Sequence, residues 1–127
     1  MDNKIVSKLD IQPGQTVSII NAPSDYLGDL GELPEGVFLD DQPIGKFDFV
    51  QLFVKNLDDV NRMTPNAIGS LKPGSTFWIS YPKQESQVQT DLTKDVGWDV
   101  IYDHKFEQTD EISINDMWSA KRFQRIG

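Results

Sequence analysis

The sequence predicts a single α/β domain built on a mostly parallel β-sheet of about six strands. One observation is the apolar run from Phe47 to Val54, interrupted only by Asp48 and Gln51, which is typical of a strand buried on both faces. A second is that strand and helix patterns alternate along the chain, as right-handed crossovers between parallel strands require. The third is the length of 127 residues, which suits one hydrophobic core.

The first part of the chain predicts two helices around one short strand. Residues 2–9 place apolar side chains among polar ones at helical spacing, and Asp2 or Asn3 can begin this helix. Residues 17–20 form a β-rich run, and a helix of about two turns is expected to begin after Pro23 or Ser24. Its core-facing residues are expected to be Tyr26, Leu27 and Leu30.

The middle of the chain predicts two strands, a helix and a further strand. The brief strand "GVFLDD" stops at an acidic pair, and the buried run from Phe47 soon follows. Asn56 can cap the next helix, whose apolar residues recur at helical spacing from Leu57 to Leu71. Pro65 is expected to break or kink this helix, and "KPG" is expected to end it before the strand "STFWISYP".

The C-terminal part predicts one more helix and then a hairpin. Thr90 can cap this helix, and Gly97 weakens it by about 1 kcal/mol. Residues 112–114 alternate in polarity, "ND" can form a tight turn, and "MWSAKRFQRI" alternates again, which predicts a terminal antiparallel hairpin. The apolar stripe of the helix consists of Leu92, Val96 and Val100.

Charge and composition exclude several classes of function. The formal net charge of −8 would repel a nucleic-acid backbone, so no nucleic-acid partner is expected. The chain has no cysteine, which removes disulfides, thiolate metal sites and thiol nucleophiles. No segment reads as a signal peptide or a membrane span, so we expect a soluble cytoplasmic protein without a membrane partner.

The order strand, helix, strand, strand, helix, strand, helix, hairpin resembles the core of class I S-adenosylmethionine-dependent methyltransferases. "FDFVQLF" and "LKPGSTFWIS" are similar to the fourth and fifth strands of such enzymes, and "DMWSAKRF" is similar to their closing hairpin. Only "DQPIGK" separates the second predicted strand from the third, which leaves no room for one strand of those enzymes and its flanking helices. The resemblance implies a three-layer Rossmann-like sandwich of truncated topology.

The chain is also similar to an uncharacterised bacterial family of short methyltransferase-like domains. This resemblance implies a fold and not an activity, and it extends over nearly the whole chain. The motifs that carry it, in order, are "PGQTVSIINAP", "FDFVQLFV", "LKPGSTFWISYPK", "TDLT" and "WSAKRF".

The carboxyl ends of the predicted strands form the predicted ligand site, because open parallel sheets bind ligands at that edge where the strand order reverses. The loop after the first strand has no glycine to let a cofactor approach the backbone, and Pro23 removes a donor from the helix entrance. The predicted site residues are Asn21, Ala22, Pro23, Asp40, Lys55, Tyr81 and Lys83, with Asp41 and Asn56 beside them.

Each group at this edge has a functional and a purely structural interpretation. Asp40 could bind the ribose hydroxyls of an adenosyl cofactor, or it could be a solvated turn residue. Lys55 and Lys83 could attract an anion or only aid solubility. Thr90 and Asp91 are interpreted as helix-capping residues and not as catalysts.

The remaining aromatic and titratable residues favour structural roles. Trp78, Trp98 and Trp118 are interpreted as core and rim residues, with a pocket or partner role for Trp118 as the alternative. His104 is the only histidine, and no metal site is expected.

Three functional hypotheses remain open from the sequence. The favoured one is a non-catalytic module that binds a small ligand or a protein, because the core is retained and the loop glycines are missing. The second is a divergent S-adenosylmethionine-dependent methyltransferase, with Asp40 at the ribose and Lys55 or Tyr81 near the acceptor. The third is a structural subunit that pairs, as a homodimer or with a partner, through an exposed sheet edge.

Overall fold

The computed structural model describes residues 4–24, 26–40, 45–83, 90–93 and 96–126, which form one six-stranded sheet with helices on both faces. The expected mostly parallel sheet with a C-terminal antiparallel hairpin is confirmed. The strands are β1 (Thr16–Ile20), β2 (Phe38–Asp40), β3 (Phe47–Phe53), β4 (Leu71–Pro82), β5 (Phe106–Ser113) and β6 (Trp118–Arg125). The helices are α1 (Lys4–Leu9), α2 (Tyr26–Leu30), α3 (Leu57–Gly69) and α4 (Asp99–Asp103).

The strand order across the sheet is β2-β1-β3-β4-β6-β5. The pairs β1·β2, β1·β3 and β3·β4 are parallel, whereas β6 runs antiparallel to both of its neighbours. The chain therefore leaves β1 for β2 on one side and returns to place β3 on the other. This reversal beside β1 is a topological switch point, which is where α/β sheets bind ligands.

Two apolar clusters cover the two faces of the sheet and make the domain three-layered. On one face α1 and α2 pack on β1 and β3, where Val17 and Phe49 are fully buried. On the other face α3 and α4 pack on β3 and β4, where Leu52 and Phe77 are fully buried. The β3 strand contributes to both clusters, as its near-continuous apolar run predicts.

A buried polar chain crosses the centre of the sheet on the α1/α2 face. The Tyr26 hydroxyl donates to Oε1 of Gln51 at 2.8 Å, and Nε2 of Gln51 donates to the Ser80 hydroxyl at 2.9 Å. Burial raises the pKa of Tyr26 well above its ordinary value near 10. Gln51, one of the two polar residues inside the β3 run, is therefore hydrogen-bonded rather than exposed.

Two of the N-terminal expectations differ from the structure. The helix after the first strand is one short turn, Tyr26–Leu30, where about two turns were expected. Tyr26 and Leu30 are buried as expected, but Leu27 is 45% exposed, because so short a helix turns only one narrow stripe toward the sheet.

The helix and strand around Pro65 also differ from expectation. Pro65 lies inside α3, which runs unbroken over thirteen residues because tertiary packing of Val60, Ala67 and Ile68 holds it on the sheet. "KPG" does not end the helix before a strand at Ser75, since β4 already begins at Leu71. Its register against β3 shifts between Phe47 and Phe49, so the extra residues lie within the strand.

The helix predicted from Thr90 through Val100 is wrong within the described residues. Residues 90–93 are not helical, and α4 begins only at Asp99. Gly97 adopts φ +112, and a Cβ there would lie 2.3 Å from Cδ2 of Leu92. Leu92 is fully buried even so, because the loop itself packs on the α3/α4 cluster.

Candidate functional site

The switch point places the loops after β1 and β3 side by side at the carboxyl edge of the sheet. The loop after β1 leads into α2 on one face, and the loop after β3 leads into α3 on the other. The two loops therefore diverge to opposite faces of the sheet, and the space between them, which we call the crevice, is the general ligand position of this architecture.

Asn21 has a left-handed backbone conformation, which glycine adopts more readily than any other residue. Its φ is +63°, in the left-handed region, where asparagine is the most readily accepted residue after glycine. Its side-chain Nδ2 donates to the Phe53 carbonyl at 3.0 Å and so ties the end of β1 to the end of β3. The chain thus makes a left-handed turn after β1 at a residue other than glycine.

The rest of the first loop is compact and half-buried. Ala22 packs against the cluster under α1 and α2. The Pro23 carbonyl accepts a hydrogen bond from the Tyr26 N–H at 3.0 Å, which turns the chain into α2. Asn21, Ala22 and Pro23 therefore belong to one loop that borders the crevice.

Asp40 and Lys55 lie on either side of this loop, at the ends of the strands β2 and β3 that flank β1. Asp40 is the last residue of β2, half-buried, and pairs in register with Ser18 of β1. Lys55 follows β3 and has an exposed side chain. Asp41, predicted beside Asp40, lies outside the described residues.

The first turn of α3 has carboxylate and amide acceptors of its own. The N–H of Lys55 donates to Oδ2 of Asp59, and the N–H of Asp59 donates to Oδ1 of Asn56, both at 2.9 Å. The N–H of Leu57 donates to Oδ1 of Asp91 at 2.7 Å. These three amides are therefore occupied and do not face a bound anion.

The predicted capping role in "TDLT" is confirmed for Asp91, but on a different helix. Asp91 caps α3, whose first residue Leu57 lies 34 residues before it, rather than a helix that begins at Thr90. The Thr90 hydroxyl accepts from the Leu92 N–H at 3.0 Å, so it stabilises the loop. Sequence reasoning missed this pairing because a capping motif shows no long-range partner.

Tyr81 lies in a buried polar cluster on the α3/α4 face. Its hydroxyl donates to Oε2 of Glu111 at 2.5 Å, and its ring packs edge-on against Trp98 at 5.0 Å between centroids. Lys121 is 2% exposed and lies 4.0 Å from Oε1 of Glu111. Its Nζ donates to Oε1 of Gln108 at 2.8 Å and lies 5.4 Å from the Trp98 ring centroid.

The sequence did not reveal this cluster because Lys121 looks like a solvent-facing residue of a surface strand. Its spacing of two from the buried Phe123 is the one signal that places it on the inward face. In the structure both the Tyr81 hydroxyl and the Lys121 ammonium are paired. The cluster therefore stabilises the contact between β4 and the hairpin.

Lys83 is held by the terminal hairpin. Its N–H donates to the Met117 carbonyl at 2.8 Å, and its Nζ donates to the Ser113 hydroxyl at 2.6 Å. Both donors consequently fix the end of β4 against the turn between β5 and β6.

The tryptophans and the histidine have structural positions. Trp78, Trp98 and Trp118 are all at most 6% exposed, which confirms the core interpretation. The Trp118 ring packs edge-on against Phe53 at 5.0 Å. His104 caps the end of α4, with Nδ1 2.7 Å from the Val100 carbonyl, and lies at the opposite edge of the sheet.

The described residues contain neither a metal-binding cluster nor a membrane-spanning helix. Among them, no three His, Asp or Glu side chains are grouped so that they could hold a metal ion. None of the helices in the described part of the chain combines the length and apolarity that a bilayer crossing needs.

Solved structures with a similar fold include S-adenosylmethionine-dependent methyltransferases. The ribosomal protein L11 methylase of Lactobacillus delbrueckii subsp. bulgaricus superposes with a TM-score of 0.63 at 11% identity, over 98% of this chain and 76% of that one. A methyltransferase from Aquifex aeolicus gives 0.61 at 13% identity, over 94% and 87% of the chains. One from Clostridium acetobutylicum gives 0.58 at 7% identity, over 100% and 93%.

These likenesses confirm the methyltransferase-like Rossmann fold that the motifs predicted. No protein-family model matches the sequence, and no curated protein sequence matches it either. The membership of a family of short bacterial domains therefore stays a prediction.

Proposed function

We propose that this chain is a small-ligand-binding module of the methyltransferase fold. Its ligand is an adenosyl compound of the S-adenosylmethionine class, held in the crevice at the carboxyl edge, and the module itself does not transfer a methyl group. We place it in the cytoplasm, as the sequence predicts. The left-handed turn at Asn21, beside the switch point, is the observation that carries the proposal.

The adenosine half of such a ligand fits the residues at the end of β2. Asp40 is positioned next to β1, where an acidic side chain can accept hydrogen bonds from ribose hydroxyls. The Asn21 turn allows the first loop to pass close to the ligand, as a glycine would. The solved structures of the same fold include one described as a complex with S-adenosylmethionine, which supports this ligand class.

Two of the predicted site residues are held by the terminal hairpin. The Tyr81 hydroxyl is bonded to Glu111, and Lys83 is bonded to Ser113. Three amides at the start of α3 are capped by side chains. Lys55 remains as an exposed cation that can attract the carboxylate of an amino-acid moiety.

Thermal unfolding with and without S-adenosylhomocysteine tests the proposal. A ligand at a hundredfold excess over its dissociation constant adds about 2.7 kcal/mol to the unfolding free energy. For a domain of this size the midpoint should rise by about 10 °C. Asp40→Ala should abolish the shift, because the ribose loses its acceptor.

Asp58→Ala is the matched control, since Asp58 is an exposed carboxylate that pairs only with Arg62 in the described contacts of α3. Its shift should equal that of the wild type. An unmoved midpoint in the wild type, or an equal shift in Asp40→Ala, contradicts the proposal.

The second function is that of a divergent methyltransferase, which the solved structures of the same fold favour. It requires that the protein convert S-adenosylmethionine into S-adenosylhomocysteine in the presence of an acceptor. Turnover that Asp40→Ala removes would establish this alternative over the non-catalytic module.

The third function is pairing through the edge of the sheet. In the described part of the chain β2 is hydrogen-bonded to β1 alone, and Phe38 on it is 62% exposed. An open strand edge is a template for pairing with a second copy or another protein. A monomer at high concentration in sedimentation equilibrium contradicts the homodimer.

A further inference from the structure

A groove of about 800 Å³ lies at the amino edge of the sheet, opposite the crevice. Its walls are the beginning of β4, the end of β6, the first residue of β5 and Lys46 before β3. The volume is within the range of small-molecule sites, which is roughly 300 to 1,000 Å³. The groove shares no residue with the carboxyl-edge site.

The wall on the β4 side is an insertion in the strand. Leu71 pairs with Phe47 and Thr76 pairs with Phe49, so residues 72–75 bulge out opposite Asp48 alone. Gly74 adopts φ +76 in this bulge. The bulge carries Lys72 outward along one side of the groove.

The groove is cationic although the protein is acidic. Among its described lining residues four are basic and none is acidic, in a chain with 12 basic and 20 acidic residues. A concave surface lined by one sign of charge concentrates ions of the opposite sign. The basic residues are Lys46, Lys72, Arg122 and Arg125.

Two of these cations are partly neutralised. Lys72 lies 3.3 Å from Oδ1 of Asp48, and Arg122 lies 3.7 Å from Oδ2 of Asp10. Hydrogen bonds from Thr16, together with Lys72, hold the pKa of Asp48 below its ordinary value, so this carboxylate keeps its charge. The net positive charge of the groove comes from the other two residues.

Lys46 and Arg125 have no carboxylate partner among the described residues. Nζ of Lys46 donates to the Gly69 carbonyl at 2.6 Å, which leaves the ammonium two further donors. The Arg125 guanidinium lies over the Phe106 ring, 4.8 Å from its centroid. This stacking fixes the guanidinium plane and leaves its edge to donate to an oxyanion.

The base of the groove is apolar. Leu71, Phe106 and Phe123 line it and are each less than 10% exposed. A ligand that buries an apolar group against them and presents an anion to the two cations would use both features.

We propose that this groove binds a small molecule in which a phosphate, or a comparable dianion, is attached to an apolar or aromatic group. Lys46 and Arg125 bind the anion from opposite walls, and the apolar base receives the attached group. The site is independent of the adenosyl site, so either can exist without the other.

Phenyl phosphate is the probe, followed by amide chemical shifts of the isotope-labelled protein. Saturable shifts are expected at the amides of Leu71, Lys72, Gly74 and Ser75 and of residues 122–126, and they should weaken with added salt. Phenol and inorganic phosphate should each bind more weakly, because each lacks one half of the ligand. Equal affinity for phenyl phosphate and inorganic phosphate would overturn the apolar half of the proposal.

The double variant Lys46→Gln, Arg125→Gln should weaken binding at least about tenfold, because charge-assisted hydrogen bonds are lost. Both side chains are exposed, so the fold should persist, and an unchanged spectrum elsewhere verifies it. Arg62→Gln on α3 is the control and should bind as the wild type. Absence of saturable shifts, or equal binding by the double variant, overturns the proposal.

Discussion

At the residue scale, Asn21 adopts a left-handed backbone conformation in a loop that contains no glycine. The sequence argued against a cofactor-binding loop, because it has Asn21, Ala22 and Pro23 where glycines were expected. The backbone angle and the bond to the Phe53 carbonyl are not visible in the sequence, since the partner lies thirty-two residues away. A missing motif residue therefore did not mean a missing conformation.

Substitutions at Asn21 separate the turn from the side-chain bond. Asn21→Gly loses only the hydrogen bond and should cost about 1 kcal/mol of unfolding free energy. Asn21→Ala should cost about 1 kcal/mol more, because alanine is strained at φ +63. Chemical denaturation of both variants measures the difference, and equal losses would show that the turn relaxes.

Tyr26 predicts a pH dependence that its burial imposes. Its pKa is raised, so the folded state keeps the proton while the unfolded chain releases it above about pH 10. Above that pH the wild type should lose about 1.4 kcal/mol of unfolding free energy per pH unit because of this group. Below that pH the group should not change the unfolding free energy. Tyr26→Phe should not show this loss.

The measurement is the difference in unfolding free energy between wild type and Tyr26→Phe, from about pH 8 to about pH 11. A difference that stays constant across this range would mean that Tyr26 titrates normally.

At the scale of the element, regular strands were predictable and short helices were not. The apolar run of β3 and the apolar positions of β6 each encode a burial pattern that a single segment displays, whereas β5 begins at Phe106, six residues before the alternation that predicted it. The final helix was overestimated because Leu92, Val96 and Val100 have helical spacing while Gly97 carries a positive φ that no helix adopts. Such short elements depend on tertiary contacts more than on local propensity.

Gly97 should tolerate alanine poorly. The added Cβ would overlap the Leu92 side chain, and the φ of +112 strains any residue other than glycine. We expect a loss of about 2 to 4 kcal/mol from these two effects together. Gly74→Ala is the matched control, because it has a positive φ but no atom within 4 Å of the new Cβ, and it should lose less.

Leu92→Ala distinguishes the two causes. In that background the overlap is gone, so Gly97→Ala should cost only its strain, about 1 to 2 kcal/mol. The unfolding free energies of the wild type, the two single variants and the double variant form a double-mutant cycle. If the double variant lost the sum of the two single-variant losses, an overlap between the new Cβ at Gly97 and the Leu92 side chain would be contradicted.

At the scale of the whole molecule, the topology was predicted and the charge distribution was not. Six strands and the terminal hairpin follow from element order alone. A net charge of −8 gives no hint that four cations share one groove, because residues 46, 72, 122 and 125 are brought together only by the fold. Likewise, only the fold revealed that Tyr81 and Lys83 are bonded to the hairpin strands.

The most direct measurement is amide chemical-shift mapping with S-adenosylhomocysteine, because it tests both whether the ligand binds and where. The account predicts saturable shifts at Asn21, Ala22, Asp40 and Lys55, and none at residues 72–75 of the opposite edge. Shifts confined to the opposite edge, or no saturable shifts at all, would contradict an adenosyl site at the switch point.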